Sequence, residues 1–479
     1  MRKIFAIILS ISMFFPLTVS AGQLIPNDLY FPDQWSLLNT GQVVGTDGDM
    51  ALKAWTEGVD INVVGAWDIL YNPESPAFNV NADKDPIVVA VIDTGVDWTH
   101  EELQGRMFED ANGNIIGYDF IDNDNYPMDE DGHGTIIATI IAANSNNEIG
   151  IAGISWDAKI MPIRILGSST YGDFRLIDEA IRFAVDHGAD VINFSVVSPV
   201  LQSDLTEVVQ YAYDNNVVIV AAAGNSNVNL TSTPWTLINN ENDTNMILGV
   251  GALNSANEKF VSSNFGKGVD VSAPGTNLVV VDYDSSNSDV GYYFASGTSM
   301  ATALVSGEVA LIKSLHRDWN SKQIIETVIN TATPFVVGDL QGMGSGRIDV
   351  QAALGVNLYS VKTPIVTAED KTVYIIIKDN CVVPITSPDV FLGLGYDWED
   401  IVEAKDYELE FYGKKLPLTS SWMPEAGSVI KGSADAIYLV ENNSIRPFTT
   451  WNEFVESKFT INDVEVVSDV LIGAYKTKN

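Results

Sequence analysis

The chain has 479 residues, 46% of them apolar, which is enough hydrophobic material for one large domain or two to three smaller ones. A formal net charge of −37 disfavours nucleic acid and anionic membrane as partners, and suits solubility and the binding of hard cations through oxygen ligands. The single cysteine, Cys381, excludes an intramolecular disulfide and argues against thiol catalysis or a cysteine zinc site.

The N-terminus reads "MRKIFAIILSISMFFPLTVSAGQ". Arg2 and Lys3 precede an apolar run that is short for a membrane span and ends in the small residues Ser20 and Ala21. Residues 1–21 are therefore predicted to be a secretory signal peptide. The mature chain is expected outside the cytoplasm, secreted, periplasmic or at the cell surface, with no stable membrane insertion.

From about Asn27 to Leu354, apolar strand-like runs alternate with helical patterns. "PIVVAVIDTG", "AKIMPIRIL", "ADVINFSVV", "VVIVAAAGN" and "MILGVGAL" are continuous runs, as expected of strands buried on both faces. "FRLIDEAIRFAVDHG" and "LTEVVQYAYDNN" carry apolar residues at helical spacing. The alternation predicts an α/β fold, a mainly parallel sheet between two helical layers, over residues 22–358. Ligands of such sheets sit at the carboxyl ends of the strands, where Asp93, Ser195 and Asn225 fall.

Beyond Leu354 the sequence becomes short strands, aromatics and turns. Pro384, Phe391, Tyr396 and Asp400 recur 63 residues later as Pro447, Phe454, Phe459 and Asp463. One fixed offset predicts two related α+β or β-rich modules, 359–420 and 421–479. Neither holds a cluster of chemistry-bearing residues, so cell-surface contact or a passive spacer is the expected role.

Serine hydrolysis needs a base beside the hydroxyl, a carboxylate fixing that base, and donors for the oxyanion. In "GTSMATALVSG", Ser299 stands at the predicted start of a helix of small residues, which suits either a nucleophile or tight packing. Of the four histidines, His187 and His316 end helices, where a cap or a cation on the dipole explains them. His100 is expected to be exposed in an acidic stretch. His133, between two glycines in "DGHGT", has room for close backbone approach and is the candidate base, with a capping role still open. Asp93 ends a buried strand, where a carboxylate is costly unless paired, although it also suits a simple chain turn. Asn225 in "AAAGN" offers a side-chain amide for a substrate carbonyl or makes an ordinary turn.

Taken in order, Asp93 in "VIDTGVD", His133 in "DGHGT", Asn225 in "AAAGN" and Ser299 in "GTSMA" resemble the subtilisin-like serine protease family. The resemblance extends to "NDLYFPDQWSLLNTGQ", "INVVGAWDIL" and "GMGSGRIDVQAAL". It implies a three-layer subtilisin-like fold and a secreted serine endopeptidase acting on extended polypeptides. Ser299 is then the nucleophile, His133 the general base, Asp93 its orienting acid, and Asn225 with the Ser299 N–H the oxyanion donors. The resemblance also implies that Ser195, Val196 and Val197, with Ala222 and Gly224, line the substrate as an added strand. Calcium is the implied structural cofactor. The acidic loop "GYDFIDNDNYPMDEDG" crowds Asp119, Asp122 and Asp124 together, and a second site would use Glu102 and Asn147.

Four departures from the family pattern stand out. The chain leaves no room for a pro-region after the signal peptide. Val197 stands where relatives carry glycine, Ile136 and Thr139 replace the usual His and Gly, and Ala303 replaces a proline inside the nucleophile helix. None removes a catalytic group. They motivate a second expectation, a weak or inactive protease fold that works as a surface binding module through its C-terminal repeats.

Overall fold

The computed structural model describes residues 24–42, 56–72, 85–167, 176–197, 205–235, 237–240, 245–283, 291–335 and 340–355, and short runs between 364 and 466. The expected signal peptide lies outside the described residues. The chain divides into two compact units, 1–354 and 355–479.

In the first unit the continuous apolar runs pair as parallel strands: β1 (Val88–Asp93), β2 (Tyr118–Asp119), β3 (Lys159–Arg164), β4 (Val191–Phe194), β5 (Val218–Ala222), β6 (Ile247–Leu253) and β7 (Val271–Pro274). Their order across the sheet is β2-β3-β1-β4-β5-β6-β7, with every pairing parallel. After β1 the chain moves to one side to build β2 and β3, then returns to the other for β4. The reversal opens the crevice at the carboxyl ends of β1 and β4 that α/β sheets use for ligands.

Strand alternation sorts the side chains onto two faces. Val89 and Val91 of β1, Val191 of β4 and Val218 and Val220 of β5 join one apolar cluster. That cluster also holds the buried faces of α1 (Val63–Tyr71), α2 (His133–Ala142), α5 (Thr298–Leu315) and α6 (Ser321–Thr331). Val88, Ala90, Ile92, Ile192, Phe194 and Ile219 point the other way, against α3 (Ile177–Asp186) and α4 (Thr206–Asp214). The three-layer expectation is met. The functional consequence is in the parity. Asp93, Asn193 and Ser195 alternate in step with Val91 and Val191, so they face the layer that contains α2 and α5.

Helix α5 is buried at every residue from Thr298 to Ser314. A helix apolar or small all round can only be a core helix, which explains the small residues after Ser299. It runs unbroken through Ala303, itself fully buried. A separate antiparallel hairpin, β8 (Leu278–Asp282) with β9 (Gly291–Ala295), precedes it, and α7 (Val350–Gly355) closes the unit.

The second unit contains β10 (Pro364–Thr367), β11 (Tyr374–Ile377), β12 (Cys381–Pro384), β13 (Val402–Ala404), β14 (Gly413–Lys414), β15 (Val429–Lys431), β16 (Ile437–Glu441), β17 (Ser444–Pro447) and β18 (Val464–Val466). They form two sheets, β13-β10-β11-β12-β14 and β17-β16-β15-β18. In each, two antiparallel pairings follow one another along the chain and a later strand joins the first in parallel. Phe391 is buried and stacks near Tyr396 and Trp398. Asp400, Phe454, Phe459 and Asp463 lie outside the described residues.

The segment ahead of the sheet is part of the core. Trp67 of α1 is fully buried, donates from Nε1 to the Ile154 carbonyl at 2.8 Å, and packs against Phe31 and Trp156. Trp67→Ala is expected to cost about 3–5 kcal/mol, read as a lower urea midpoint with an unchanged m-value.

Candidate active site

A buried carboxylate at a strand end needs donors. Asp93 is fully buried, and its Oδ1 accepts from the Thr94 N–H at 2.8 Å and from His133 Nδ1 at 2.7 Å. Its Oδ2 has no partner. Because Nδ1 donates to Asp93, the free lone pair of His133 is on Nε2, the tautomer a general base requires.

Two glycines permit this contact. At Gly134 a Cβ would stand 2.0 Å from the Gly95 carbonyl oxygen, so only glycine lets the start of α2 lie against the end of β1. Gly132 has φ +105°, and a Cβ there would strike the ring of Tyr283. Behind them sits Asp129, also buried, which the sequence reading did not single out. Its carboxylate accepts from the N–H groups of Asp131, Gly132 and Thr135 and from the Thr135 hydroxyl, at 2.6–2.9 Å. It thereby satisfies donors that the first turn of α2 would otherwise leave open.

The nucleophile candidate comes from the other helix. Ser299 is the second residue of α5, where N–H groups have no partner inside the helix. Its hydroxyl donates to the Ser195 carbonyl at 3.2 Å, and no hydrogen bond joins it to His133 in this structure. Asn225, exposed just beyond β5, accepts the Thr298 N–H on Oδ1 at 2.9 Å. Its amide is thus tied to the first residue of α5 with its NH2 group left as a donor beside Gly297. The ends of β1, β4 and β5 and the starts of α2 and α5 therefore bring Asp93, His133, Ser195, Asn225 and Ser299 to one place.

Of the expected substrate-lining residues, Ser195, Val196, Ala222 and Gly224 are buried. Val197 is half-buried, with its side chain packed against the α3 and α4 cluster. Ile136 and Thr139 are core residues of α2, the Thr139 hydroxyl donating to the Ile136 carbonyl at 2.8 Å.

The other histidines need two corrections. His100 is buried, not exposed, and its Nδ1 accepts the Glu102 N–H at 3.2 Å. His316 is no cation on a helix dipole: burial, with its ring stacked on Trp319, lowers its pKa to about 4. His187 is a cap as expected, donating from Nδ1 to the Phe183 carbonyl at 2.8 Å.

The two predicted cation loops differ. Arg164, buried at the end of β3, donates to Asp119 at 2.7 Å, Asp122 at 3.0 Å and Glu130 at 2.6 Å. Asp124 caps the Tyr126 N–H at 2.8 Å. The charge balance expected from a metal is supplied here by a guanidinium, and the Asp119, Asp122 and Asp124 carboxylates as arranged do not fit a calcium ligand set. Among the described residues no group of three or more His, Cys, Asp or Glu side chains is arranged to hold a metal ion.

The second loop does carry an unmet need. Glu102 is fully buried; Oε1 accepts from the Ile151 N–H at 2.7 Å and the Tyr292 hydroxyl at 2.8 Å, while Oε2 has no partner. Asp28, missed in the sequence, is buried nearby, with Oδ2 on the Asn146 N–H at 2.7 Å and Oδ1 unpartnered. Burial, with repulsion from Asp28 and Glu101, pushes Glu102 up to about 7. Two orphaned carboxylate oxygens in one neighbourhood fit a hard cation completed by neutral oxygens. Asn147 is half-buried, and its Oδ1 is engaged by the Ile149 N–H at 2.8 Å.

Burial works against a charged His133 ring, but Asp93, followed by the charges of Asp131 and Asp129, outweighs it and holds the pKa above the ordinary imidazole value. A base must be neutral, so any activity through His133 rises with pH across that raised value. Asp131 is exposed. Asp131→Asn removes one of the raising charges and is expected to move the acidic limb of kcat/KM to lower pH at low salt, with less shift at high salt.

Comparison with known proteins converges on one group. The sequence model described as "Subtilase family" matches residues 84–346. A thermophilic serine proteinase from Bacillus sp. (strain AK1) is 38% identical over 266 residues, 55% of this chain and 61% of that protein. Thermitase from Thermoactinomyces vulgaris is 34% identical over 56% of this chain and 88% of its own length. Among solved structures, a protease from Pseudoalteromonas arctica PAMC 21717 superposes with a TM-score of 0.55 at 27% identity, covering 69% of this chain and 98% of that one. The chain spans less than two thirds of the first of these relatives.

Proposed function

The chain belongs to the subtilase family, and from that premise we propose that it is a serine endopeptidase acting on extended polypeptides outside the cytoplasm. The observation that carries this reading is the 2.7 Å contact of His133 Nδ1 with the buried Asp93, with Ser299 and Asn225 at the start of the neighbouring helix. The Ser299 hydroxyl turns from the Ser195 carbonyl to His133 Nε2, which takes its proton as Oγ attacks the substrate carbonyl. Asp93 holds the ring and stabilises the imidazolium that forms. The oxyanion is held by the Asn225 NH2 group and the Ser299 N–H, each such donor typically worth about 3–4 kcal/mol of barrier. His133 then passes its proton to the leaving amine, and water repeats the sequence on the acyl-enzyme. The alternative of an idle protease fold gains no support, since none of the groups the reaction needs is missing.

A fluorophosphonate probe tests this directly. The wild-type chain is expected to be labelled and Ser299→Ala to take no label; an unlabelled wild type, assayed with calcium present, overturns the reading.

Calcium is proposed as a structural cofactor held by Asp28 and Glu102, since their orphaned oxygens are what a hard cation would satisfy. Calcium at about 100 times its Kd is expected to stabilise the wild-type chain by about 2.7 kcal/mol. Asp28→Asn and Glu102→Gln should lose most of that calcium-dependent rise in Tm, while an unaltered rise in both variants places calcium elsewhere.

A further inference from the structure

We propose that Asn193 and Ser306 are positioning residues for the nucleophile, forming a buried hydrogen-bond chain that ties the first two turns of α5 to β4. The proposal rests on the reading of Ser299 as the attacking group.

A fully buried asparagine inside a parallel strand is costly unless both ends of its amide are bonded. Asn193 meets that condition in one way. Its Oδ1 accepts the Ser306 hydroxyl at 2.9 Å, and its Nδ2 donates to Ser195 Oγ at 2.9 Å. Ser195 Oγ in turn donates to the Ser299 carbonyl at 3.3 Å, while the Ser299 hydroxyl donates to the Ser195 carbonyl at 3.2 Å. Asn193, Ser195, Ser299 and Ser306 are all buried.

Two features make this more than a satisfied core. The donors run in one direction: Ser306 to Asn193, Asn193 to Ser195, Ser195 to Ser299. Each hydroxyl has a single proton, so the direction is set by the amide and cannot reverse at one link alone. Secondly, a helical serine commonly folds its hydroxyl back onto the carbonyl four residues earlier. Thr302 does so, onto Thr298 at 2.7 Å. Ser306 instead reaches across to β4. Ser299 and Ser306 are seven residues apart, two turns along one face of the helix, so β4 grips α5 at the nucleophile and again two turns below it. The lower grip fixes the rotation of the helix about its axis, and with it the direction in which Oγ and the Ser299 N–H point.

The test compares Ser306→Ala with Ser306→Thr, which keeps a hydroxyl, on the full chain. Removing the hydroxyl is expected to lower kcat on an unfolded peptide, and the rate of fluorophosphonate labelling, about tenfold with KM unchanged. Ser306→Thr should recover most of both. A merely structural role would move Tm and leave the rates of the folded protein alone. If Ser306→Ala fails to fold, Ser195→Ala cuts the same chain one link nearer and is read by the same rates. A labelled wild type whose folded Ser306→Ala variant reacts at the wild-type rate overturns this proposal alone; an unlabelled wild type overturns the nucleophile reading and this proposal with it.

Discussion

Much of the first unit is arranged around one unfavourable object, the Asp93 carboxylate at the end of the central strand. It is buried, one of its oxygens is unpartnered, and among the described residues its only side-chain donor is His133. That donor is present only because α2 begins against β1, and the close approach exists only because Gly134 has no side chain to meet Gly95. The cost of the burial is offset by placing a tautomer-fixed imidazole within 2.7 Å, an arrangement that the proposed general-base role of His133 would use.

The second structural demand is on α5. A helix surrounded on all sides can hold a reactive residue rigidly, but apolar packing resists rotation less specifically than hydrogen bonds do. The polar side chains set into this helix and the strand beneath it, Asn193, Ser195, Ser306 and Thr298, are paired in ways that specify one orientation. Glu308 is the exception. It is fully buried with both oxygens unpartnered, and burial, with Asp349 adding repulsion, holds its pKa far above the usual carboxylate range. Burial thus favours its neutral form. The structure supplies no partner for it, and its role in the helix is unexplained.

Charge is handled by two different means in an otherwise very acidic chain. Around Asp119 and Asp122 the compensating cation is covalently part of the protein, Arg164 at the end of β3. Around Asp28 and Glu102 none of the described residues forms an ion pair with either acid, and burial raises the pKa of both, with the Asp28 charge adding to the rise at Glu102. The same sequence feature, several acids in or near a loop, thus has opposite physical meanings depending on whether a strand end brings an arginine to it.

Residue order alone determined a good deal. Short continuous runs rich in β-branched residues suit strands covered on both faces, so the three-layer sheet was legible, and Asp93, His133, Asn225 and Ser299 stood out as candidates because their neighbours are short, specific and in a set order. What the tertiary structure decided is everything that depends on burial and on partners distant in the chain. His100 and His316 sit in acidic or helix-end contexts that suggest solvent and charge, yet packing buries His100 and half-buries His316, lowering the His316 pKa to about 4. Asp28 meets its loop 118 residues away and Arg164 meets Asp119 45 residues away. Local sequence carries no record of either meeting, because strand order, not spacing along the chain, sets which side chains share a dielectric environment.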